Sequence, residues 1–138
     1  EHEMVVGVKE ASGDLDQMKE VIERSTDDFC VLSGDDGLTL DLIRMGGDGV
    51  VSVASNIVPG QISEMVNHAL EGNFEEAEKI GSHFEQFFND LFCETNPIPV
   101  KYVAHKMGLC GLNYRLPMCE PSSEGMETLD QLMKNYNL

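Results

Sequence analysis

Met4-Val5-Val6-Gly7-Val8-Lys9-Glu10-Ala11-Ser12-Gly13-Asp14 sets one lysine at the end of an apolar run, just before a glycine-containing turn. A valine run without polar alternation predicts a strand of a parallel sheet, covered on both faces. Side chains alternate along a strand, so Val5, Gly7 and Lys9 share one face and Val6 and Val8 the other. Gly7 is then expected to leave an empty space beneath the lysine. An amine with a pKa near ~10.4 is protonated at neutral pH and cannot attack a carbonyl. Burial or a neighbouring cation that tunes it down to about 7–8 frees it to form an imine with an aldehyde or ketone. The same spacing describes a strand-end lysine that lays its stem on apolar surface and keeps its head in water. Spacing alone leaves both readings open.

Outward from this stretch the pattern alternates. Asp14, with Gln17 three positions on, predicts a capping box for a helix whose buried stripe is Leu15, Met18, Val21 and Ile22. Phe29 to Leu32 reads as a second strand, followed by the turn Ser33-Gly34-Asp35-Asp36-Gly37. Asp35 and Asp36 are expected to cap the short helix that starts at Leu38, where orphan N–H groups and the positive dipole end favour an acid. After Gly46-Gly47-Asp48-Gly49, Val50 to Val53 reads as a third strand. Strand, helix, strand, helix, strand is the βα repeat of parallel sheets, and a (β/α)₈ barrel and an open doubly wound sheet fit it equally.

From Ile57 onward the pattern is helical. Ile62, Met65, Val66 and Ala69 mark one amphipathic helix. Asn73 with Glu76 predicts the cap of the next, whose stripe runs Phe74, Ala77, Ile80, Phe84, Phe87, Phe88 and Leu91, read as packing. Asn96-Pro97-Ile98-Pro99 breaks it, with Pro99 in the first turn of a successor ending near Gly108. Ser123 to Tyr136 reads as a last helix.

The chain has 138 residues, 41% of them hydrophobic, enough for one packed core and no more than one domain. Its formal charge of −16 argues against a nucleic-acid backbone binder, which needs clustered Lys and Arg. No apolar run reaches the ~20 residues that cross a bilayer, so neither nucleic acid nor membrane is an expected partner. Glu1-His2-Glu3 is no basic signal start, and a cytoplasmic location is the expectation. Cys30, Cys93, Cys110 and Cys119 form no C-x-x-C pair and read as reduced thiols, Cys30 as a core residue, although a loop is able to bring Cys110 and Cys119 together. Gly47-Asp48-Gly49 precedes a strand, the reverse of a dinucleotide fingerprint. Ser33 has Val31 where a nucleophile elbow needs glycine. His2, His68, His83 and His105 are scattered, and no metal site is expected.

Val6-Gly7-Val8-Lys9-Glu10-Ala11-Ser12-Gly13-Asp14-Leu15, Leu32-Ser33-Gly34-Asp35-Asp36 and Gly46-Gly47-Asp48-Gly49-Val50-Val51-Ser52-Val53-Ala54-Ser55-Asn56 resemble, in this order, segments of the dihydrodipicolinate synthase and N-acetylneuraminate lyase family. Asn96-Pro97-Ile98-Pro99-Val100-Lys101 is similar to its synthase branch. The resemblance covers the family's C-terminal half. It implies an α/β fold: about three βα units of a (β/α)₈ TIM barrel over residues 1–71, then a helical region over 72–138. It implies a lyase that joins pyruvate to aspartate semialdehyde without a cofactor, with Lys9 as the Schiff-base amine and Ser33, Gly34 and Val51 at the bound ketoacid. Val51 stands where the family usually has an isoleucine whose backbone lies near the lysine. It also implies a homo-oligomer, a tetramer by family habit, and an N-terminal half of the barrel supplied by the rest of the chain or by a companion chain. The family's Thr-Thr carboxylate clamp, proton-relay tyrosine and aldehyde-binding arginine have no counterpart here. Tyr102, Tyr114 and Tyr136 do not occupy that tyrosine motif. The alternatives are another class I pyruvate aldolase of the same family and a half-barrel that serves only in interaction.

Overall fold

The computed structural model describes residues 2–138. Three strands, β1 (Gly7–Glu10), β2 (Cys30–Ser33) and β3 (Gly49–Val50), lie parallel in the order β1-β2-β3. Lys9 stands opposite Leu32 and Leu32 opposite Gly49, while Glu10, Ser33 and Val50 form the next row. The parallel order needs crossovers, and α1 (Leu15–Arg24) and α2 (Thr39–Arg44) supply them. Both pack on one face, where Met18, Val31 and Leu42 form a closed apolar cluster.

A short 3-10 turn, Ala54–Asn56, leads from β3 into four helices: α3 (Pro59–Leu70), α4 (Phe74–Asp90), α5 (Ile98–Lys106) and α6 (Ser123–Tyr136). Their apolar stripes meet in one cluster that runs from Ala54 and Ile62 through Phe84, Phe87 and Phe88 to Val103, Leu129 and Leu132. The aromatic stripe of α4 is packing, as its spacing predicts: Phe87 is fully buried, edge-to-face on Phe84 and Tyr136 with centroids 5.6 Å and 5.0 Å away. The last strand ends at Val50 and α3 lies ahead of residue 71, so the expected division at residues 71 and 72 falls between two helices, and this one core spans it. Among the described residues, no helix is long and apolar enough to cross a membrane.

Several local expectations are corrected. β1 is not covered on both faces. It is an edge strand, and Val5, Val6 and Val8 are 59%, 67% and 36% exposed. The second strand is shifted by one residue to Cys30–Ser33, because Phe29 is held in a turn by its N–H to the Thr26 carbonyl. The third strand stops at Val50, because the N–H groups of Val53 and Ala54 turn away from the ladder to a side-chain carboxylate. Cys30 is only half-buried, and all four cysteines, Cys110 and Cys119 among them, are free thiols.

The caps differ as well. Asp14 does cap α1, accepting from the N–H groups of Asp16 (2.9 Å) and Gln17 (3.2 Å). Gln17 makes no reciprocal bond and donates instead to Glu10 Oε1 at 2.8 Å, while Leu15 is 41% exposed rather than part of the buried stripe. Neither Asp35 nor Asp36 caps α2, whose N-cap is Leu38 without a side-chain bond. Asp35 closes its own turn on the Gly37 N–H, 2.8 Å away, and Asp36 is directed to the segment after β3. Asn73 stands at the N-cap of α4 but makes no cap bond.

Candidate functional site

Alternation along β1 sends neighbouring side chains to opposite faces. Glu10 is buried on the helix side, where its Oε1 accepts from the Ser12 N–H (3.1 Å) and the Gln17 side chain (2.8 Å). This fixes the turn after β1 and the start of α1 together. Lys9 therefore projects from the other face, at the C-terminal end of its strand, the end at which parallel α/β sheets bind their ligands.

The lysine stem lies over Gly34. A Cβ on Gly34 would come within 2.8 Å of Lys9 Cε, 2.5 Å of Ala11 Cβ and 3.1 Å of the Glu10 carbonyl, so only glycine fits beneath the amine. The Gly34 N–H donates to that carbonyl at 2.6 Å, which locks the two strand ends together. The empty space expected at Gly7 does not exist. A Cβ there would meet the Cys30 carbonyl oxygen at 2.5 Å, so Gly7 serves the close approach of β1 and β2 and Gly34 is the glycine under the lysine.

Ser33 is fully buried, with its hydroxyl shared between the Asp35 carbonyl (2.7 Å) and the Asp35 N–H (3.1 Å). Its side chain closes its own turn, away from the lysine face, and its carbonyl accepts the Val51 N–H at 2.8 Å. Val51 continues the alternation from Val50 onto the face of Lys9 and is 44% exposed. Asp36 is 3% exposed, and its Oδ2 accepts the N–H groups of Val53 (2.9 Å) and Ala54 (3.0 Å). Lys9, Gly34 and Val51 are thus brought to one side of the sheet by backbone ties among the three strand ends. A cavity of about 320 Å³ lies beside them between β3 and α3, lined by Leu32, Gly49, Val50, Ser52, Ile62 and Val66.

The dry pocket expected for the lysine is not formed by this chain. Lys9 is exposed, and it lines neither this cavity nor the larger one beside Val5 and Val6. The cause is its position on an edge strand whose outer side is unpaired. The three tyrosines are engaged elsewhere, their hydroxyls donating to Asp130 Oδ1 (Tyr102), the Ile98 carbonyl (Tyr114) and the His83 carbonyl (Tyr136). Sequence reasoning missed the clamps made by Glu10 and Asp36, and also Asp48, whose Oδ2 accepts the Val31 N–H at 2.7 Å in place of a longer third strand. The signal for Asp36 was the second acid in a turn where one suffices.

Comparison with known proteins gives this arrangement a setting. The family model described as the dihydrodipicolinate synthetase family matches residues 1–136. A 4-hydroxy-tetrahydrodipicolinate synthase from Aquifex aeolicus is 42% identical over 138 residues, all of this chain and 47% of the relative. One from Methanosarcina mazei is 48% identical over 128 residues, 92% of this chain and 44% of the relative. The crystal structure of the dihydrodipicolinate synthase from Aquifex aeolicus superposes with a TM-score of 0.97 at 42% identity, covering all of this chain and 47% of that one. The chain spans about half the length of the curated relatives it matches.

Proposed function

This chain belongs to the dihydrodipicolinate synthetase family, and from that premise we propose that it carries the lysine-bearing part of a 4-hydroxy-tetrahydrodipicolinate synthase. The three parallel strands and their helices are the C-terminal part of a (β/α)₈ barrel in this reading, with the Lys9 face turned inward. The remaining strands, from the rest of the polypeptide or from a companion chain, enclose the amine and expel the water around it. That enclosure strengthens every polar interaction at the centre.

The reaction then follows from one amine. Lys9 Nζ adds to the ketone carbon of pyruvate and water leaves, giving an imine. The imine draws electrons from the adjacent methyl group, which loses a proton to become an enamine carbon. That carbon attacks the aldehyde of aspartate semialdehyde, and hydrolysis of the imine returns the lysine. Gly34 gives the ketoacid room beside the amine, and the backbone at Ser33 and Val51 bounds it. A cytoplasmic homo-oligomer, tetrameric by family habit, is part of the same proposal.

The observation that carries this reading is a family match over residues 1–136, the range that contains Lys9, Gly34 and Val51, joined to a fold that sets the Lys9 stem directly over Gly34. Borohydride reduction of the whole enzyme in the presence of pyruvate tests it. One reduced pyruvyl group is expected on Lys9, and none in Lys9→Ala. A parent enzyme that takes up no pyruvyl group under these conditions would overturn the imine, and competition between aspartate semialdehyde and a sugar aldehyde identifies the second substrate.

A further inference from the structure

We propose that Asp36 is a positioning residue for the lysine centre, holding the segment Val51 to Ala54 in place against the strand ends of Lys9 and Gly34. This rests on the reading of Lys9 as the imine-forming amine. A carboxylate as buried as Asp36 is costly unless it is paired or well hydrogen-bonded, and among the described residues no Lys or Arg is within ion-pair distance of it. The usual reason for an acid at this point, a helix cap, is absent: α2 receives no side-chain bond at its start. What Asp36 does hold is the pair of N–H groups at Val53 and Ala54, both through Oδ2, leaving Oδ1 buried without a donor.

Two anchors from one short segment thus fix the next. The Ser33 carbonyl takes the Val51 N–H, and two residues further on the Asp36 carboxylate takes the Val53 and Ala54 N–H groups. Val51 and Ser52 are strung between these ties. The turn after β2 therefore sets the path of the chain after β3, while Ser33 itself is closed on Asp35 and Gly34 is bound to the Glu10 carbonyl. Removing the carboxylate frees the far anchor and lets the Val51 backbone drift from the lysine without removing any group that touches pyruvate.

Pyruvate-dependent borohydride trapping in the whole enzyme, measured across pyruvate concentrations, tests the assignment. Asp36→Ala loses both charge-assisted bonds and is expected to raise the half-saturating pyruvate concentration by about tenfold or more, with trapping at saturation within about threefold of the parent. Asp36→Asn keeps a neutral oxygen for the two N–H groups and is expected to raise it about threefold. A merely structural role predicts less folded enzyme, read by circular dichroism, with half-saturation unmoved, and that result in Asp36→Asn overturns the proposal even where Asp36→Ala does not fold. An untrappable parent, by contrast, overturns the imine reading, so the two failures are distinguishable.

Discussion

Lys9 and Gly34 form a pair in which each explains the other's identity. The lysine stem needs a neighbour without a side chain, and Gly34 is hemmed in by Ala11 Cβ and the Glu10 carbonyl, which cannot swing away as the lysine can. Gly34→Ala is therefore expected to destabilise the fold by about 1–3 kcal/mol, measured by urea unfolding, and to lower pyruvate trapping at Lys9. Lys9→Ala separates the two effects. Its exposed side chain makes its removal nearly neutral for unfolding, within about 0.5 kcal/mol, while trapping is expected to disappear. The lysine's place at a strand end was legible in the sequence because it follows a valine run before a turn, but the glycine beneath it was not. Gly7 has the right alternation for that place, yet the pairing of β1 with β2 uses it for backbone approach, and contacts between strands leave no trace in local spacing.

Among the elements, α4 is the helix that packs against both α3 and α6. Phe87→Ala removes a fully buried ring from the contact with Phe84 and Tyr136 and is expected to cost about 3–5 kcal/mol in urea unfolding. The helical half has a pH signature. Burial pushes the Tyr114 and Tyr136 hydroxyls above the usual phenol range, and the hydrogen bond to Asp130 pushes the Lys106 ammonium up. Groups raised in the folded state contribute stability that is whole below their unfolded values and is lost as pH rises through the folded ones. Thermal stability is therefore expected to fall from about pH 10 upward, and Tyr136→Phe to flatten that fall. The bond with Lys106 holds Asp130 below the usual carboxylate range, a contribution that vanishes as acid protonates it. Helix positions were readable to the residue where periodicity and a real cap agree, as for α6, with Ser122 accepting the Gly125 N–H. The caps of α2 and α4 were misread because acids and amides at helix starts have other customers: a distant backbone for Asp36, a histidine for Asn73.

The whole chain leaves both sheet edges unpaired and presents Lys9, Val51 and the apolar residues Met4, Val5 and Val6 at the surface. On the function proposed above, the chain alone is expected to trap no pyruvate, and mixing with the complementary part of the proposed barrel to restore trapping. Unpaired edges and exposed valines favour self-association, which the charge of −16 opposes. Raising ionic strength screens that repulsion, so sedimentation of the isolated chain is expected to shift toward larger species as salt is added. The same sheet order has a consequence for how the proposed barrel comes apart. Strands adjacent in space are adjacent in sequence, and no outside strand is threaded between them. In the proposed barrel, separating this portion therefore breaks strand pairing only along the outer edges of β1 and β3 and leaves the register among its own three strands intact.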